Sequence, residues 1–414
     1  MLLVWALTAA RWVVEALAIL LIPIAVLAVL RAIVLIAFAR RHARASREVR
    51  PGEVGFSPPV SIVVPAYNEA AVIEPAVRSL AASMYPEVEV IVVDDGSTDG
   101  TGEIVRGLGL KRVRVLSEAN QGKPAALNRG IAAARHDVIV SVDADTAFEP
   151  DTLRRLVQPL QDERVGAVAG NTKVANRGGM LGRWQHVDYV MGFNLDRRLY
   201  DVLQCMPTVP GAIGAFRRRA LDEVGRFSGA TLAEDTDITI ALGRAGWRVV
   251  YAEDALAFTE APSTLSALWR QRYRWSYGTM QAVWKHRRAI REGGGETRIG
   301  RFGIPYLLLF QVLLPLLAPL IDAFTIYGIV FLDPTTTLAY WVGFNALLFG
   351  LAIYSFRLDR EPLRPLWVMP LQQFVYRQLM YLVVIQSVIS AARGMRLRWQ
   401  HVERTGGLEA PAGS

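Results

Sequence analysis

Residues 60–69, VSIVVPAYNE, and residues 88–97, VEVIVVDDGS, decide the fold class of this 414-residue chain. Each is a short run rich in β-branched residues that ends in polar or turn-forming residues, and residues 137–145, DVIVSVDAD, repeat the pattern. Such runs are typical of parallel strands buried on both faces of a sheet. Helix-like stretches over residues 69–83, 101–107 and 125–134 alternate with them. We therefore predict a Rossmann-like α/β domain with its polar residues at the carboxyl ends of the strands.

The rest of the chain is too apolar for an ordinary soluble protein. Hydrophobic residues make up 52% of it, and the mean hydropathy is +0.25. A run of about 20 apolar residues can span a bilayer. Four apolar blocks of that kind occur, at residues 13–38, 302–332, 338–356 and 368–392.

The first apolar block is followed directly by a basic flank, ARRHARASREVR, which favours a cytoplasmic position for the domain that follows. The block is too long for a cleavable signal peptide, and its basic residues stand on the wrong side. The single cysteine, Cys205, excludes an internal disulfide framework.

The number of spans conflicts with the charge at the end of the chain. Three spans after a cytosolic domain would place residues 392–404 outside, yet they are basic and favour the inside. One block is therefore predicted to be re-entrant or interfacial, either the start of 302–332 or residues 362–373. The predicted units are an N-terminal membrane segment with its basic flank (1–40), a cytosolic domain (55–263), an interfacial amphipathic region (264–300), a C-terminal membrane region (301–400) and a disordered tail (401–414).

The motif SVDADT holds two carboxylates, Asp143 and Asp145, at the end of an apolar run. Residues two apart point to the same face of a strand, so the two carboxylates would repel each other unless a cation lies between them. A hard divalent ion such as Mg²⁺ or Mn²⁺ that also binds phosphate oxygens fits this pattern. The alternative is a solvated turn at the end of a strand.

Two further strand ends offer groups for a nucleoside. Asp94 and Asp95 can accept hydrogen bonds from a base or a ribose, although a helix cap and turn explain them equally well. In VPAYNE, the ring of Tyr67 can stack on a base with the carboxylate of Glu69 nearby, unless Asn68 merely caps the strand end.

A lysine and a third acidic cluster complete the set. Lys123, ahead of a helix in NQGKPAALN, can meet a phosphate, or it is a solvated loop lysine. Glu234, Asp235 and Asp237 precede a predicted helix, where they balance its dipole or supply a general base.

Several other classes of protein are disfavoured. The chain has neither a P-loop nor a dinucleotide-binding fingerprint, and its five histidines lack ligand spacing. The arginines cluster next to apolar blocks instead of forming one stripe, so nucleic acid is not a predicted partner.

In combination, these motifs are specific. VPAYNE, VDDGSTD, GKPAALN, DAD, PGAIGAFRRRAL, AEDTD and QRYRW occur in that order between residues 60 and 291. This region resembles the catalytic domain of processive family 2 glycosyltransferases, the membrane synthases of cellulose, chitin, hyaluronan and poly-N-acetylglucosamine. The resemblance implies a GT-A fold, a plasma-membrane enzyme with several spans, and a cytosolic catalytic domain.

The resemblance also implies a role for each motif residue. Asp235, beside Glu234, would be the base that activates the acceptor hydroxyl. In QRYRW, arginine would steady the leaving diphosphate and tryptophan would stack on the acceptor sugar. The residues on the nucleotide or donor side would be Pro65, Tyr67, Glu69, Asp94, Asp95, Lys123 and Asp143, with Asp143 and Asp145 at a Mg²⁺ or Mn²⁺ ion. The residues on the acceptor or diphosphate side would be Gln271, Arg272, Arg274 and Trp275.

The product is less sharply indicated. Three segments, namely PGAIGAFRRRAL, the QRYRW region and PLQQFVYRQLMYLVV, are similar in sequence to those of bacterial poly-β-1,6-N-acetylglucosamine synthases and chitin-synthase-like enzymes. This implies a UDP-sugar donor, preferably UDP-N-acetylglucosamine, a growing polysaccharide acceptor and a possible small membrane partner. Another β-glycan synthase, a non-processive lipid-carrier transferase, and a transporter or scaffold with a degenerate nucleotide domain are the alternatives.

The QRYRW element is flanked by basic and aromatic residues, namely Trp269, Arg270, Trp284, Lys285, Arg287 and Arg288. A stretch of this composition is typical of an amphipathic helix at a membrane surface. We expect it to hold the acceptor-binding tryptophan at the mouth of a path across the membrane.

Overall fold

A computed structural model of the chain describes residues 2–48, 56–292, 298–394 and 406. Its strands form one sheet of eight, in the order β3-β2-β1-β4-β7-β6-β8-β5. The strands are β1 (Val60–Ala66), β2 (Val88–Asp94), β3 (Val113–Ser117), β4 (Val138–Ser141), β5 (Thr146–Phe148), β6 (Val165–Val174), β7 (Gly214–Arg217) and β8 (Arg248–Thr259).

Helices surround this sheet and continue into the apolar segments. The α-helices are α1 (Leu2–Glu48), α2 (Ile73–Ala81), α3 (Thr101–Gly107), α4 (Lys123–Ala133), α5 (Thr152–Val157), α6 (Gly179–Asp188), α7 (Leu195–Leu203), α8 (Arg218–Glu223), α9 (Glu234–Arg244), α10 (Leu265–Lys285), α11 (Ile304–Leu307), α12 (Leu314–Phe331), α13 (Pro334–Leu358), α14 (Met369–Gln372) and α15 (Tyr376–Ala392). The π-helical turns are Tyr189–Asn194, Ile299–Gly303 and Leu308–Leu313, and the 3₁₀ turns are Gln158–Gln161, Arg287–Ile290 and Arg364–Val368.

The predicted strands are confirmed, and they form the parallel part of the sheet. β1 lies between β2 and β4, with Val60 opposite Val88 on one side and Val138 on the other. Because the three strands run in the same direction, their carboxyl ends meet at one edge. The other part of the sheet is mixed, since β7 runs antiparallel to both β4 and β6.

The apolar runs alternate between two cores, as expected for strands covered on both faces. Ile62, Val90 and Val140 belong to one buried cluster. Their neighbours Val63 and Ile91 belong to a second cluster. The domain is therefore layered, with helices on both sides of the sheet.

Two of the predicted helices start elsewhere. The predicted start of α2 at residue 69 is wrong by four residues, because Asn68 adopts a positive φ of 55° and directs the chain through a turn first. The N–H of Glu69 donates to the hydroxyl of Thr101 at 2.9 Å, so a partner distant in sequence holds this turn. α4 begins two residues before its predicted start, and α3 matches its prediction.

Three helices in the described part of the chain are long and apolar enough to cross a membrane: Ile22–Ser46, Ile299–Phe331 and Pro334–Leu358. A fourth segment is bent, because Arg364–Gln372 meets Tyr376–Ala392 at 58°. This bend lies at the end of the second of the two stretches predicted to be re-entrant or interfacial, residues 362–373. The predicted tail, 401–414, falls outside the described residues except for residue 406.

A buried ionic junction joins the sheet to the apolar helices. Lys173 of β6 lies 2.6 Å from Asp359, which directly follows α13, and 3.3 Å from Glu361. Arg198 of α7 contacts the other oxygen of Asp359 at 2.5 Å. The N-terminal helix α1 also contacts the sheet, because its His42 is buried beside Glu253 of β8. Part of the predicted basic flank therefore contacts protein.

Candidate active site

Three of the predicted motifs meet at one lysine. The Nζ atom of Lys123, at the start of α4, lies 2.7 Å from Asp143 Oδ1 and 2.7 Å from Glu234 Oε1. Asp143 lies just beyond β4 and Glu234 opens α9. The structure thus brings together the lysine, the first aspartate of DAD and the acidic cluster at the carboxyl edge of the sheet.

A glycine makes room for this junction. A Cβ atom on Gly211 would lie 2.7 Å from Lys123 Nζ and 3.2 Å from each carboxylate oxygen of Asp143. Any side chain there would displace one of the two charged groups. PGAIGAFRRRAL was part of the motif series, but the sequence pattern alone gave its glycine no role.

Asp235, the predicted base, lies next to this junction and is partly buried. Burial raises the pKa of its carboxyl to about 6, with a further rise from the negative charge of Glu234 and an opposing effect of Lys123. The same acidic cluster was predicted to precede a helix, but it forms the first turn of α9. A carboxylate with a pKa near neutrality at a helix start suits proton transfer.

The third acidic residue, Asp237, has a different task. Its oxygens lie 2.6 Å from Lys285 Nζ and 2.7 Å from His286 Nε2, which fastens α9 to the end of α10. Burial would raise the pKa of Asp237, but these two partners outweigh it and hold the pKa below its usual value. Lys285, predicted to lie on a helix at the membrane surface, thus contacts Asp237 of α9.

α10 also packs closely against the two residues that precede the acidic cluster, Leu232 and Ala233. A Cβ on Gly278 would lie 2.6 Å from the backbone nitrogen of Ala233. Gln281 Oε1 accepts a hydrogen bond from Leu232 N at 3.0 Å. Sequence reasoning missed both contacts, because a glycine and a glutamine after QRYRW carry no recognisable pattern.

The picture of Asp143 and Asp145 on one face of a strand is wrong. β4 ends at Ser141, and the two aspartates lie in the turn that leads to β5. Asp145 is buried and accepts hydrogen bonds from the hydroxyls of Thr146 and Thr259, both at 3.1 Å, whereas Asp143 faces Lys123.

The two aspartates still suit a hard divalent cation. Over the described ranges there is no group of three or more His, Cys, Asp or Glu residues arranged to hold a metal ion. Mg²⁺, however, commonly takes only one or two carboxylates and completes its shell with phosphate oxygens and water. One turn that supplies Asp143 and Asp145 meets that smaller requirement, and its oxygen donors have the right chemistry.

Asp94 and Asp95 hold turns of the protein. Asp94 Oδ1 accepts from Ser97 N at 2.9 Å, as in a capped turn. Asp95 accepts from the backbone N–H groups of Gln121 at 2.9 Å and Gly122 at 2.8 Å. Asp95 therefore positions the loop that carries Lys123, and the contact of either aspartate with a base stays a prediction.

The residues of VPAYNE lie beside these turns. Pro65 is a buried residue of β1, opposite Val93. Tyr67 and Glu69 follow the strand and are partly buried. Asn68 takes the turn with its positive φ and donates from its backbone to Ser97. The position of Tyr67 beyond the strand end is compatible with stacking on a base, and that role stays a prediction.

The QRYRW element lies in the first half of α10. Gln271 is buried, and its Oε1 has no hydrogen-bond partner in the described ranges. Trp275 is partly buried, with its ring 5.9 Å from that of Phe193 in an edge-to-face arrangement. Arg274 is also partly buried. Arg272 is buried and engaged by Asp188 at 2.7 Å, so the structure does not favour its predicted contact with the diphosphate.

The end of α10 agrees only in part with the predicted membrane-surface stretch. Trp284 is 69% exposed, and the guanidinium of Arg287 lies 4.5 Å from its ring centre. Earlier in the helix, Trp269 donates to Gln386 of α15 at 2.8 Å. The exposed surface around Trp284 is compatible with a membrane contact, and that contact stays a prediction.

Comparison with known proteins decides the family. Residues 58–278, just over half of the chain, match the family model described as "Glycosyltransferase like family 2". The chain belongs to this family. As a family 2 glycosyltransferase, it is expected to use a nucleotide-sugar donor and a glycan acceptor. The family 2 resemblance stated from its motifs is confirmed, and processive synthesis stays a prediction.

Curated relatives point in the same direction. The glycosyltransferase is 28% identical over 261 residues to the poly-beta-1,6-N-acetyl-D-glucosamine synthase of Staphylococcus aureus (strain COL), and the match covers 62% of each chain. It is 30% identical over 224 residues to the enzyme of the same name from Staphylococcus epidermidis, covering 53% of this chain and 54% of the relative. The match thus spans about three fifths or less of the curated relatives.

A solved structure supports the fold. The mannosyltransferase PcManGT from Pyrobaculum calidifontis, in complex with GDP-Man and Mn²⁺, is 24% identical, with a TM-score of 0.63. The likeness covers 87% of this chain and 99% of that chain. The predicted GT-A architecture with flanking apolar helices is confirmed.

Proposed function

We propose that this glycosyltransferase transfers N-acetylglucosamine from UDP-N-acetylglucosamine to a growing β-linked polysaccharide, with inversion at the anomeric carbon. The observation that carries the proposal is the junction of Lys123 with Asp143 and Glu234, adjacent to Asp235. The junction brings a cation, a carboxylate for the diphosphate side and a candidate general base to one edge of the sheet. Sugar transfer from a nucleotide requires these three kinds of group. The curated relatives support the choice of sugar.

Asp235 supplies the base in this proposal. Its carboxylate takes the proton from the acceptor hydroxyl while that oxygen attacks the anomeric carbon and the bond to the diphosphate breaks. One displacement with one base inverts the configuration, so a UDP-α-sugar gives a β-linkage. Lys123 stays protonated, because burial lowers its pKa less than the carboxylates of Asp143 and Glu234 raise it. Its charge stabilises the departing diphosphate.

Asp143 and Asp145 would hold the divalent cation together with the diphosphate of the donor. When bound, a Mg²⁺ or Mn²⁺ ion would supply Lewis-acid neutralisation of the negative charge on the leaving group. Thr146 and Thr259 keep Asp145 oriented through their hydroxyl groups.

The acceptor would lie along the first half of α10. The partly exposed ring of Trp275 offers a stacking surface for a sugar. The unsatisfied amide oxygen of Gln271 is buried and would accept a hydrogen bond from a sugar hydroxyl only after its side chain moves. Arg274 would face the diphosphate. A catalytic domain on the cytosolic side of a multi-pass plasma-membrane protein would then deliver each extended chain to the apolar helices for export.

The donor and the product are tested with purified protein in detergent or vesicles. Mg²⁺ or Mn²⁺ is added with one UDP-sugar at a time, and the product is digested with linkage-specific glycosidases. We expect polymer from UDP-N-acetylglucosamine. Polymer from UDP-glucose alone would refute the donor, and single-sugar transfer to a lipid carrier would favour the non-processive alternative.

The base is tested by Asp235→Asn. We expect release of UDP to fall by about 10²- to 10⁴-fold, since the variant keeps the shape of the side chain but cannot accept the proton. Asp237→Asn is the matched control: it removes one charge from the same turn, so turnover should persist while the unfolding temperature falls. Undiminished UDP release by Asp235→Asn would rule out the assigned base.

A further inference from the structure

Arg272 links the predicted acceptor site to the bent apolar segment through directed hydrogen bonds. Its Nη2 atom donates to the hydroxyl of Tyr376 at 3.1 Å and lies 2.7 Å from Asp188 Oδ2. The hydroxyl of Tyr376 donates in turn to the same carboxylate oxygen at 3.0 Å. The three side chains therefore form a closed ring of hydrogen bonds. In it, Arg272 donates to Tyr376 and Asp188, and Tyr376 donates to Asp188.

The same guanidinium lies against two aromatic rings. Its carbon is 4.8 Å from the ring centre of Trp275 and 5.4 Å from that of Phe193. A cation that is removed from water gains more from such a contact than an exposed one does, and Arg272 is buried. Any shift of the guanidinium would therefore change its contact with the ring of Trp275.

Tyr376 occupies a special place in the chain. It is the first residue of α15, directly after the break where Arg364–Gln372 and Tyr376–Ala392 meet at 58°. It is 2% exposed and lies in contact with the cluster of Trp184 and Leu268. Its phenol group thus joins the start of the apolar helix α15 to Arg272 of the QRYRW element.

We propose that Tyr376 is a positioning residue for the acceptor-binding tryptophan, acting on Trp275 through Arg272. The inference rests on the proposed function for its catalytic meaning, since Trp275 is the acceptor platform only there. It extends the acceptor site from α10 into the bent segment. In this arrangement, a movement of α15 at its bend changes the orientation of Trp275 and leaves the donor side unchanged.

The chain offers a matched control. Tyr273 donates from α10 to Ser390 of α15 at 2.6 Å, so it also contributes a phenolic hydrogen bond between the two helices. Each Tyr→Phe change removes one oxygen atom and keeps the ring. If Tyr376 served only to pack α15 against α10, the two variants would behave alike.

The positional part is tested by fluorine NMR on full-length protein labelled with 5-fluorotryptophan in detergent. The Trp275 signal is assigned by its loss in Trp275→Phe. We expect this signal to shift or broaden in Tyr376→Phe and to stay unchanged in Tyr273→Phe. An unchanged signal in Tyr376→Phe, or an equal change in both variants, overturns the proposal.

The catalytic part is tested on the same samples with UDP-N-acetylglucosamine. Tyr376→Phe should lower acceptor kcat/KM by about tenfold, the size expected for one hydrogen bond to a charged group, and shorten the product. Hydrolysis of the donor to UDP without acceptor should be unchanged. Equal losses in hydrolysis and extension would overturn the role in acceptor positioning. If the wild type turns over no nucleotide sugar while the fluorine signal still responds, the proposed function fails and the contact of Tyr376 with Trp275 stands.

Discussion

Two lysines of this glycosyltransferase make nearly the same contacts in two different settings. Lys123 lies 2.7 Å from each of two carboxylates, and Lys173 lies 2.6 and 3.3 Å from two others. The side chain of Lys123 is 22% exposed, whereas that of Lys173 is 1% exposed. Contact geometry alone therefore does not separate a site for chemistry from a structural junction.

Position and burial separate them. Lys123 begins a helix at the carboxyl edge of the parallel strands, where a ligand can reach it. Lys173 lies within β6, and its partner Asp359, with a 0% exposed side chain, follows an apolar helix. In the proposed function, Lys123 of the first junction exchanges its carboxylate partners for the diphosphate of the donor. The second is sealed and fixes the catalytic domain to the apolar region.

The strongest test of this contrast is Lys173→Met. Lys173→Met leaves Asp359 and Glu361 in a buried network with one cation fewer, although Arg198 still pairs with Asp359. Breaking a buried ion pair costs about 3–5 kcal/mol. We expect a large fall in unfolding temperature or loss of folded protein, measured by thermal unfolding in detergent. The double variant Lys173→Met with Asp359→Asn should recover part of the loss, because it removes the excess negative charge while Arg198 keeps Glu253 as a partner. Equal stability of the single variant and the wild type would contradict the structural role.

The counterpart is Lys123→Met. Its carboxylate partners are more accessible, so we expect little change in unfolding temperature, as for most accessible ion pairs. Release of UDP should fall by about 10²-fold, since a preorganised charge that meets the leaving group is lost. The measurement pairs initial rates with thermal unfolding of the same preparation. A large stability loss with intact turnover would reverse the roles assigned to the two lysines.

Part of the first junction could be predicted from the sequence, because Lys123, Asp143 and Glu234 all belong to motifs. Asp143 lies just beyond the parallel strand β4, where ligand-binding groups gather. Lys123 and Glu234 stand at helix starts, and only the fold brings them to Asp143. The error at Asp143 and Asp145 arose because the apolar run continues beyond β4, whose last residue is Ser141. Hydrophobic pattern does not show where a strand ends and a turn begins.

The second junction could not be predicted. Lys173 and Asp359 are 186 residues apart, and Arg198 is 161 residues from Asp359. Each stands among apolar or mixed residues without a motif, so only the packing of the C-terminal helices against the sheet brings them together. Tyr376 was missed for the same reason. The bend before it was indicated by prolines, but its partner Arg272 lies 104 residues earlier.

The test with the smallest expected effect concerns the pH dependence of turnover. The charges of the first junction set the pKa of Asp235, and turnover should follow it. A base must be ionised to accept a proton, so kcat/KM should fall about tenfold per pH unit below the pKa of Asp235, which burial and Glu234 raise to about 6. Glu234→Gln removes a negative charge that raises this pKa, and the acid limb should move to lower pH.

Lys123→Met should do the opposite, because it removes the cation that lowers the same pKa. Rates of UDP release at low donor and acceptor concentrations, measured from pH 5 to 8, would show both shifts. Lys173→Met, in whatever folded fraction remains, should leave the limb unchanged, since the sealed junction does not contact Asp235. Acid limbs that coincide in the Glu234 and Lys123 variants would mean that the titrating base lies elsewhere. Shifts of opposite sign would assign the limb to the carboxylate beside Lys123, because only a group that feels both charges responds in both directions.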